Sequence, residues 1–173
     1  MSLTNALTDI LEKYRDVGQA KANPPAGVHD DFEQVANNAP KEVTAAGVEQ
    51  AFQSDQTPPF PQMVAQLFEH ADGSGRAGLL NRLLQSVGGA GAANVPGAST
   101  ISRLLQGNRQ QVAPEQAAQI PPQEVEQLAA HAQSRNPAAV SEVSRFASEH
   151  PGMVKGLGMA ALAIVMHHIS RRI

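Results

Sequence analysis

The 173 residues contain no cysteine and no tryptophan, and aromatic side chains make up only 3% of the chain. Without a thiol there can be no disulfide scaffold, no cysteine nucleophile and no cysteine-ligated metal. The absence fits a reducing compartment. Strands favour aromatic and β-branched side chains, which are sparse here. No stretch alternates apolar and polar residues in the way a half-buried strand does. The start, Met1-Ser2-Leu3-Thr4-Asn5, lacks the basic and apolar regions of a signal peptide, so the expected location is cytoplasmic.

Motifs that carry chemistry are missing as well. There is no Gly-x-Ser-x-Gly elbow, no His-Glu-x-x-His pair and no paired carboxylates at a telling spacing. The Gly88–Gly97 stretch lacks the Gly-Lys-Ser/Thr ending of a phosphate loop and follows no strand, so it reads as a linker. Catalysis is therefore not the expectation, and no cofactor is implied.

What is present is apolar content of 42%, enough for a core, rich in alanine, which favours helix. The expected fold is all-α and multihelical, with eight to nine short helices. Leu3, Ala6, Leu7, Ile10, Leu11 and Tyr14 recur at helical spacing over residues 3–17, with Gly18 as a stop. Residues 19–30, with Pro24, Pro25 and Gly27, read as a linker. Asp30 or Asp31 is a candidate cap for a short helix carrying Phe32, Val35, Ala36 and Ala39. Pro40 opens the next helix, which turns Val43, Val48, Ala51 and Phe52 inward. Three prolines at 58, 59 and 61 make residues 54–61 stiff and non-helical. Met63, Val64, Leu67 and Phe68 mark a helix that Asp72-Gly73-Ser74-Gly75 ends. Leu79, Leu80, Leu83, Leu84 and Val87 mark another over residues 76–87.

Residues 88–98, rich in glycine and alanine, are the candidate boundary between an N-terminal half, 1–87, and a C-terminal half, 99–173. In the second half, Ser99 or Thr100 caps a short helix and Pro114 starts a further turn. Pro122 opens a helix with Val125, Leu128, Ala129 and Ala132. Asn136-Pro137 caps a helix with Val140, Val143, Phe146 and Ala147. His150-Pro151-Gly152 breaks that helix, and the last one runs from about Met153 to Arg171.

The two halves share a grammar. Phe32 to Ala39 aligns with Val125 to Ala132, Phe52 with Phe146, Pro61 to Val64 with Pro151 to Val154, and Leu67 with Leu157. Such self-similarity suggests two duplicated three-helix halves around the apolar C-terminal helix.

Charge divides unevenly. Residues 1–75 carry eleven acids against four bases and residues 76–173 five against nine, within a net charge of −3. Such a split can serve head-to-tail association. Arg76, Arg82, Arg103 and Arg109 could form a basic patch, but no aromatics interleave with them, and nucleic acid is not an expected partner. His29, Asp30, Asp31 and Glu33 could hold a cation, yet acids are favoured at a helix start in any case. His167 and His168 are adjacent and so point in different directions on a helix.

The segment that asks most for an explanation is Gly156 to Met166, eleven residues without one polar side chain. A helix apolar all round is buried on every side or meets lipid. It spans only about 16 Å, against a bilayer core of about 30 Å. Gly156 and Ala160 form a small-xxx-small step that lets helices approach. Arg171 and Arg172 follow, where they complement the helix dipole and could meet lipid phosphate.

Three coverings are open: the chain itself, a second copy, or a membrane surface. The leading expectation is a non-enzymatic helical interaction or scaffold protein. It would form a homo-oligomer through Leu157, Leu162, Ile164, Val165 and Ile169, with Gly156 and Ala160 at the contact. One alternative is a peripheral membrane protein using the same helix, with Arg171 and Arg172 toward phosphate. Another is a helical carrier or enzyme for an apolar small molecule, with Met and Leu lining a pocket.

Two pieces of the chain, Gly78-Leu79-Leu80-Asn81-Arg82-Leu83-Leu84-Gln85-Ser86-Val87-Gly88-Gly89 and Val112-Ala113-Pro114-Glu115-Gln116, resemble the YidB-like bacterial proteins of unknown function. That resemblance implies a multihelical bacterial cytoplasmic protein and assigns no chemistry and no functional residue.

Overall fold

The computed structural model describes residues 3–16, 24–106 and 111–173, and all the regular structure among them is helical. Gly18, the first residues of the 19–30 linker (as far as Asn23) and Arg109 lie outside the described residues. Among the described residues nine helices have seven residues or more: α1 Leu3–Glu12, α2 Val28–Asn38, α3 Lys41–Gln53, α4 Phe60–His70, α5 Gly73–Val87, α6 Ser99–Leu105, α7 Pro122–Arg135, α8 Ala138–Glu149 and α9 Met159–Ser170. Gly89–Ala92, Pro114–Ala117 and Pro151–Val154 form single helical turns. The multihelical all-α expectation holds.

Several helix ends fall elsewhere than the sequence suggested, each for a local reason. α2 begins at Val28, after Gly27 in a left-handed conformation (φ 93°) that glycine adopts without strain, so Asp30 and Asp31 lie inside its first turn and do not cap it. Phe60 and Pro61 belong to α4; a proline in the first turn removes an N–H that has no intrahelical partner anyway. Asp72 does not end α4. It caps α5, its carboxylate accepting from the Gly75 N–H at 2.7 Å, and Gly73 to Gly75 are helical. Neither Ser99 nor Thr100 is the cap of α6; Ala98 stands there, and the free amides are met by a distant side chain described below.

Close contacts divide the chain into two compact units, Met1–Pro58 with Ser144–Ile173, and Pro59–Val143. The units change over at 58/59 and 143/144, whereas the sequence suggested a boundary at 88–98. The physical reason lies in the tail: α9 packs on α3, α2 and α1, which draws the last residues into the same unit as the first. The pieces aligned as a repeat take different elements in part. Pro61–Val64 lies within an eleven-residue helix, while Pro151–Val154 is a single turn.

In the first unit the core is built on α9, with Leu162, Val165, Met166 and Ile169 fully buried together with Tyr14, Val28, Phe32, Val35 and Val48. The crossing of α3 and α9 is close. A Cβ added at Gly47 would sit 3.1 Å from Val165 Cγ1 and 3.1 Å from the Val165 carbonyl oxygen, so only glycine fits there without displacement. Tyr14 ties three helices at the end of α1. Its buried hydroxyl donates to Asp31 at 2.8 Å and its carbonyl accepts from His167 Nδ1 at 2.9 Å. Burial, reinforced by the neighbouring Asp31 carboxylate, raises the phenol well above its ordinary range.

In the second unit α7 packs on α4 and α5, burying Met63, Leu67, Leu80, Leu83, Leu128 and Ala129. Two polar side chains hold its connections. Asn81 on α5 pairs with the backbone of Val112 in both directions: Oδ1 accepts from the Val112 N–H at 2.7 Å and Nδ2 donates to the Val112 carbonyl at 3.2 Å. Glu124, only 7% exposed, reaches from the first turn of α7 to the start of α6. Its carboxylate accepts from the Thr100 N–H at 2.9 Å, the Ile101 N–H at 3.1 Å and the Ser99 hydroxyl at 3.4 Å. It is the N-terminal cap of a helix more than twenty residues earlier in the chain. Burial pushes this carboxyl up, but the hydrogen bonds from Thr100, Ile101 and Ser99 outweigh it and hold it below the usual glutamate value.

Candidate functional site

The apolar tail is not one continuous helix. Pro151–Val154 turns once, the chain then opens, and α9 starts only at Met159, with Gly158 extended at ψ 159°. Gly156 therefore lies outside α9, and Gly156 and Ala160 do not form a step on one helix face. Both are half-buried.

The five apolar residues expected to anchor a contact are covered by the chain itself. Leu162, Val165 and Ile169 are fully buried, Leu157 is 1% exposed and Ile164 9%. Every residue from Ala161 to Met166 is buried, as a helix apolar on all faces requires. Outward the tail presents the exposed Arg171 and Arg172 and, of its large apolar side chains, only Met159 and Ile173 at its two ends. No helix among the described residues is long and apolar enough to cross a membrane.

The last turn of α9 faces the C-terminal turn of α3 across a groove of about 490 Å³, lined by Gln50, Gln53, Ser54, Ile164, His167, His168 and Arg171. Its formation follows from the packing below it. Gly47 brings α3 and α9 together one turn earlier. Beyond that crossing, the longer side chains Gln50, Gln53 and His168 take the place of interlocked apolar residues. The lining contains one apolar residue, Ile164, and is not the Met- and Leu-lined pocket that a carrier of apolar molecules would use.

The hydrogen-bonding state of each lining group can be read from its partners. His167 Nδ1 lies 2.9 Å from the Tyr14 carbonyl, which can only accept, so Nδ1 carries a hydrogen and donates it there. His168 Nε2 is shielded from solvent and has no partner among the described residues. Burial pushes the His168 imidazole below its ordinary value, and Arg172, His167 and Arg171 push it the same way, so it is neutral at neutral pH. Ser54 Oγ accepts from the Gln56 N–H at 3.2 Å, which leaves its own proton to donate. Gln53 Nε2 donates to Glu49 Oε1 at 3.3 Å and keeps a second N–H.

The remaining histidines do not assemble. His70 and His150 each place Nδ1 2.9 Å from the carbonyl four residues earlier, and the His150 ring lies against Phe146 with centroids 4.3 Å apart. His29, Asp30, Asp31 and Glu33 do not converge. Asp31 is taken up by Tyr14 and Lys13, and Glu33 by Lys155 at 2.6 Å. Among the described residues no group of three or more His, Asp or Glu side chains could hold a metal ion. Arg76 is committed to the Phe68 and Glu69 carbonyls and stacks over the Phe68 ring.

The sequence singles out Ile164, Arg171 and the His167-His168 pair but not Gln50, Gln53 and Ser54. These lie far away in the chain and carry no motif. Comparison with protein-family models, with curated proteins and with solved structures finds no match to this chain.

Proposed function

We propose that this protein is a non-enzymatic helical binding protein whose working site is the groove between the C-terminal turns of α3 and α9, and whose ligand is a small hydrogen-bonding molecule. The observation that carries this reading is the lining of the groove itself, polar but for Ile164, in which Ser54 and Gln53 keep donor hydrogens that the chain leaves unspent. A ligand that accepts from those donors exchanges their bonds to water for direct ones, a net gain of about 0.5–1.5 kcal/mol for each hydrogen bond. Binding rather than acyl transfer is supported by two further features. The Ser54 hydroxyl oxygen is engaged by the Gln56 amide and makes no hydrogen bond to either imidazole, and no carboxylate lines the groove.

Contact with a second copy or with a membrane through Leu157, Leu162, Ile164, Val165 and Ile169 would require α9 to leave α3. That step exposes the core of its own unit, and each fully buried aliphatic side chain brought into water costs about 1.5–3 kcal/mol. Partner binding at the polar groove has no such cost.

A ligand-observed NMR screen of the full chain with small polar molecules tests the reading, using Gln50→Trp to fill the groove from an exposed position. Binders that compete with one another and lose their signal with Gln50→Trp are expected. A screen in which no binder responds to that substitution would overturn the proposal.

A further inference from the structure

We infer that the groove selects a ligand bearing an acidic group, carboxylate or phosphate, which the Arg171 guanidinium holds while the side chains of Gln50, Gln53 and Ser54 bind its remaining oxygens. This rests on the groove reading and adds the chemical class of the ligand. The argument is one of charge and unspent donors. Of the seven lining side chains none is acidic, and Arg171 is the one that is always charged. Among the described residues Arg171 has no carboxylate within ion-pair distance; the ion pairs of this unit are Lys13 with Asp31, Arg15 with Glu12 and Lys155 with Glu33.

Donors outnumber acceptors in the lining. The guanidinium offers five N–H groups, the Ser54 hydroxyl proton is unspent, and each glutamine brings an amide NH2 of which one hydrogen, that of Gln53 toward Glu49, is used. A carboxylate or phosphate is rich in acceptor oxygens and matches such a wall; arginine holds either one with paired, charge-assisted hydrogen bonds. The neutral His168 ring keeps a second like charge from crowding Arg171. Around it stand His167 on α9 and Arg171 and Arg172 just past its end, with Gln50 and Gln53 on the facing α3 and Glu49 beyond them, held by Gln53. Arg172, next in the chain and exposed, adds positive potential at the mouth without lining the groove.

The test is a ¹H–¹⁵N titration of the full chain at fixed ionic strength with three separate probes: succinate, inorganic phosphate, and succinamide as the neutral counterpart of succinate. Succinate or phosphate should give saturable shifts centred on Gln50, Gln53, His168 and Arg171, and the stronger of the two tells a carboxylate from a phosphate site. Arg171→Gln should weaken that binding about tenfold or more, Arg171→Lys should retain part of it, and Arg135→Gln, an exposed charge on α7, should leave it unchanged. Arg171 is exposed, so its replacement leaves the core intact. If succinamide binds as well as succinate, or Arg171→Gln binds succinate and phosphate as the unsubstituted protein does, the acidic-ligand inference falls and the groove reading stands. If none of the three shifts these residues, the acidic-ligand inference falls, and the screen with Gln50→Trp decides the groove reading.

Discussion

Replacing Glu124 by glutamine should weaken the fold by about 1–3 kcal/mol at neutral pH, and the loss should vanish in acid. The carboxylate accepts from two backbone amides, Thr100 and Ile101, and from the Ser99 hydroxyl, while being almost fully buried. Glutamine keeps one acceptor oxygen and turns the other into an NH2 group that faces amide donors. One charge-assisted bond is therefore lost, about 1.5–3 kcal/mol, and the loss of a helix cap costs a similar amount, about 0.5–2 kcal/mol.

The sign of the pH dependence follows from the carboxyl being held below its ordinary value of 4.5 in the folded chain. Its stabilisation is fully present above the unfolded value and disappears as the pH falls through the folded one. The assay is urea denaturation of both proteins across a pH series from neutral to acid. The chain has 16 acids, so both proteins lose stability in acid, but the difference between them isolates Glu124. That difference should be full at pH 7 and close as the pH drops below the usual glutamate range. A constant difference, or a glutamine variant as stable as its parent at pH 7, would refute the role assigned to this side chain.

Three further outcomes follow from the same packing. Leu162→Ala, at a fully buried position on α9, should cost about 2–5 kcal/mol in denaturant unfolding; a loss under 1 kcal/mol would mean that α9 is not a core helix. Gly47→Val should destabilise by about 1–3 kcal/mol because the added atoms press on the Val165 carbonyl, which cannot rotate away; a variant that is more stable would contradict the close crossing. In an NMR titration His168 should protonate below its ordinary value of 6.5, and Arg172→Gln should raise it part of the way back, burial being the larger cause. A base depressed in this way contributes stability that is present above the unfolded value and is lost as pH falls through the window below it; a His168 that titrates at or above its ordinary value would remove that contribution.

Helix identity was legible from the residues because it depends on local periodicity. The apolar spacing of Met63, Val64, Leu67 and Phe68, and the prolines 122 and 137 at helix starts, are short-range signals that the fold respects. Helix ends were less legible. Asp72 was read as a stop and is a start, since a short acidic residue between two apolar runs can serve either. Glu124 as the cap of α6 could not be read at all, because the amides it satisfies lie more than twenty residues away.

The same limit applies to the site. The composition of the tail points to burial, which residues 161–166 show, but it does not say against what, and the answer depends on Gly47, an unmarked residue in a helix. His167, His168 and Arg171 stand out at the end of the chain. The glutamines and serine opposite them become visible only once α3 and α9 are packed together.

Amide hydrogen exchange over residues 161–166 tests most directly whether the tail belongs to its own chain. Read by mass spectrometry on dilute and on concentrated protein, these amides should be protected to the level of global unfolding and equally at both concentrations. Fast exchange in dilute solution that slows only when copies associate, or when anionic vesicles are added, would contradict it.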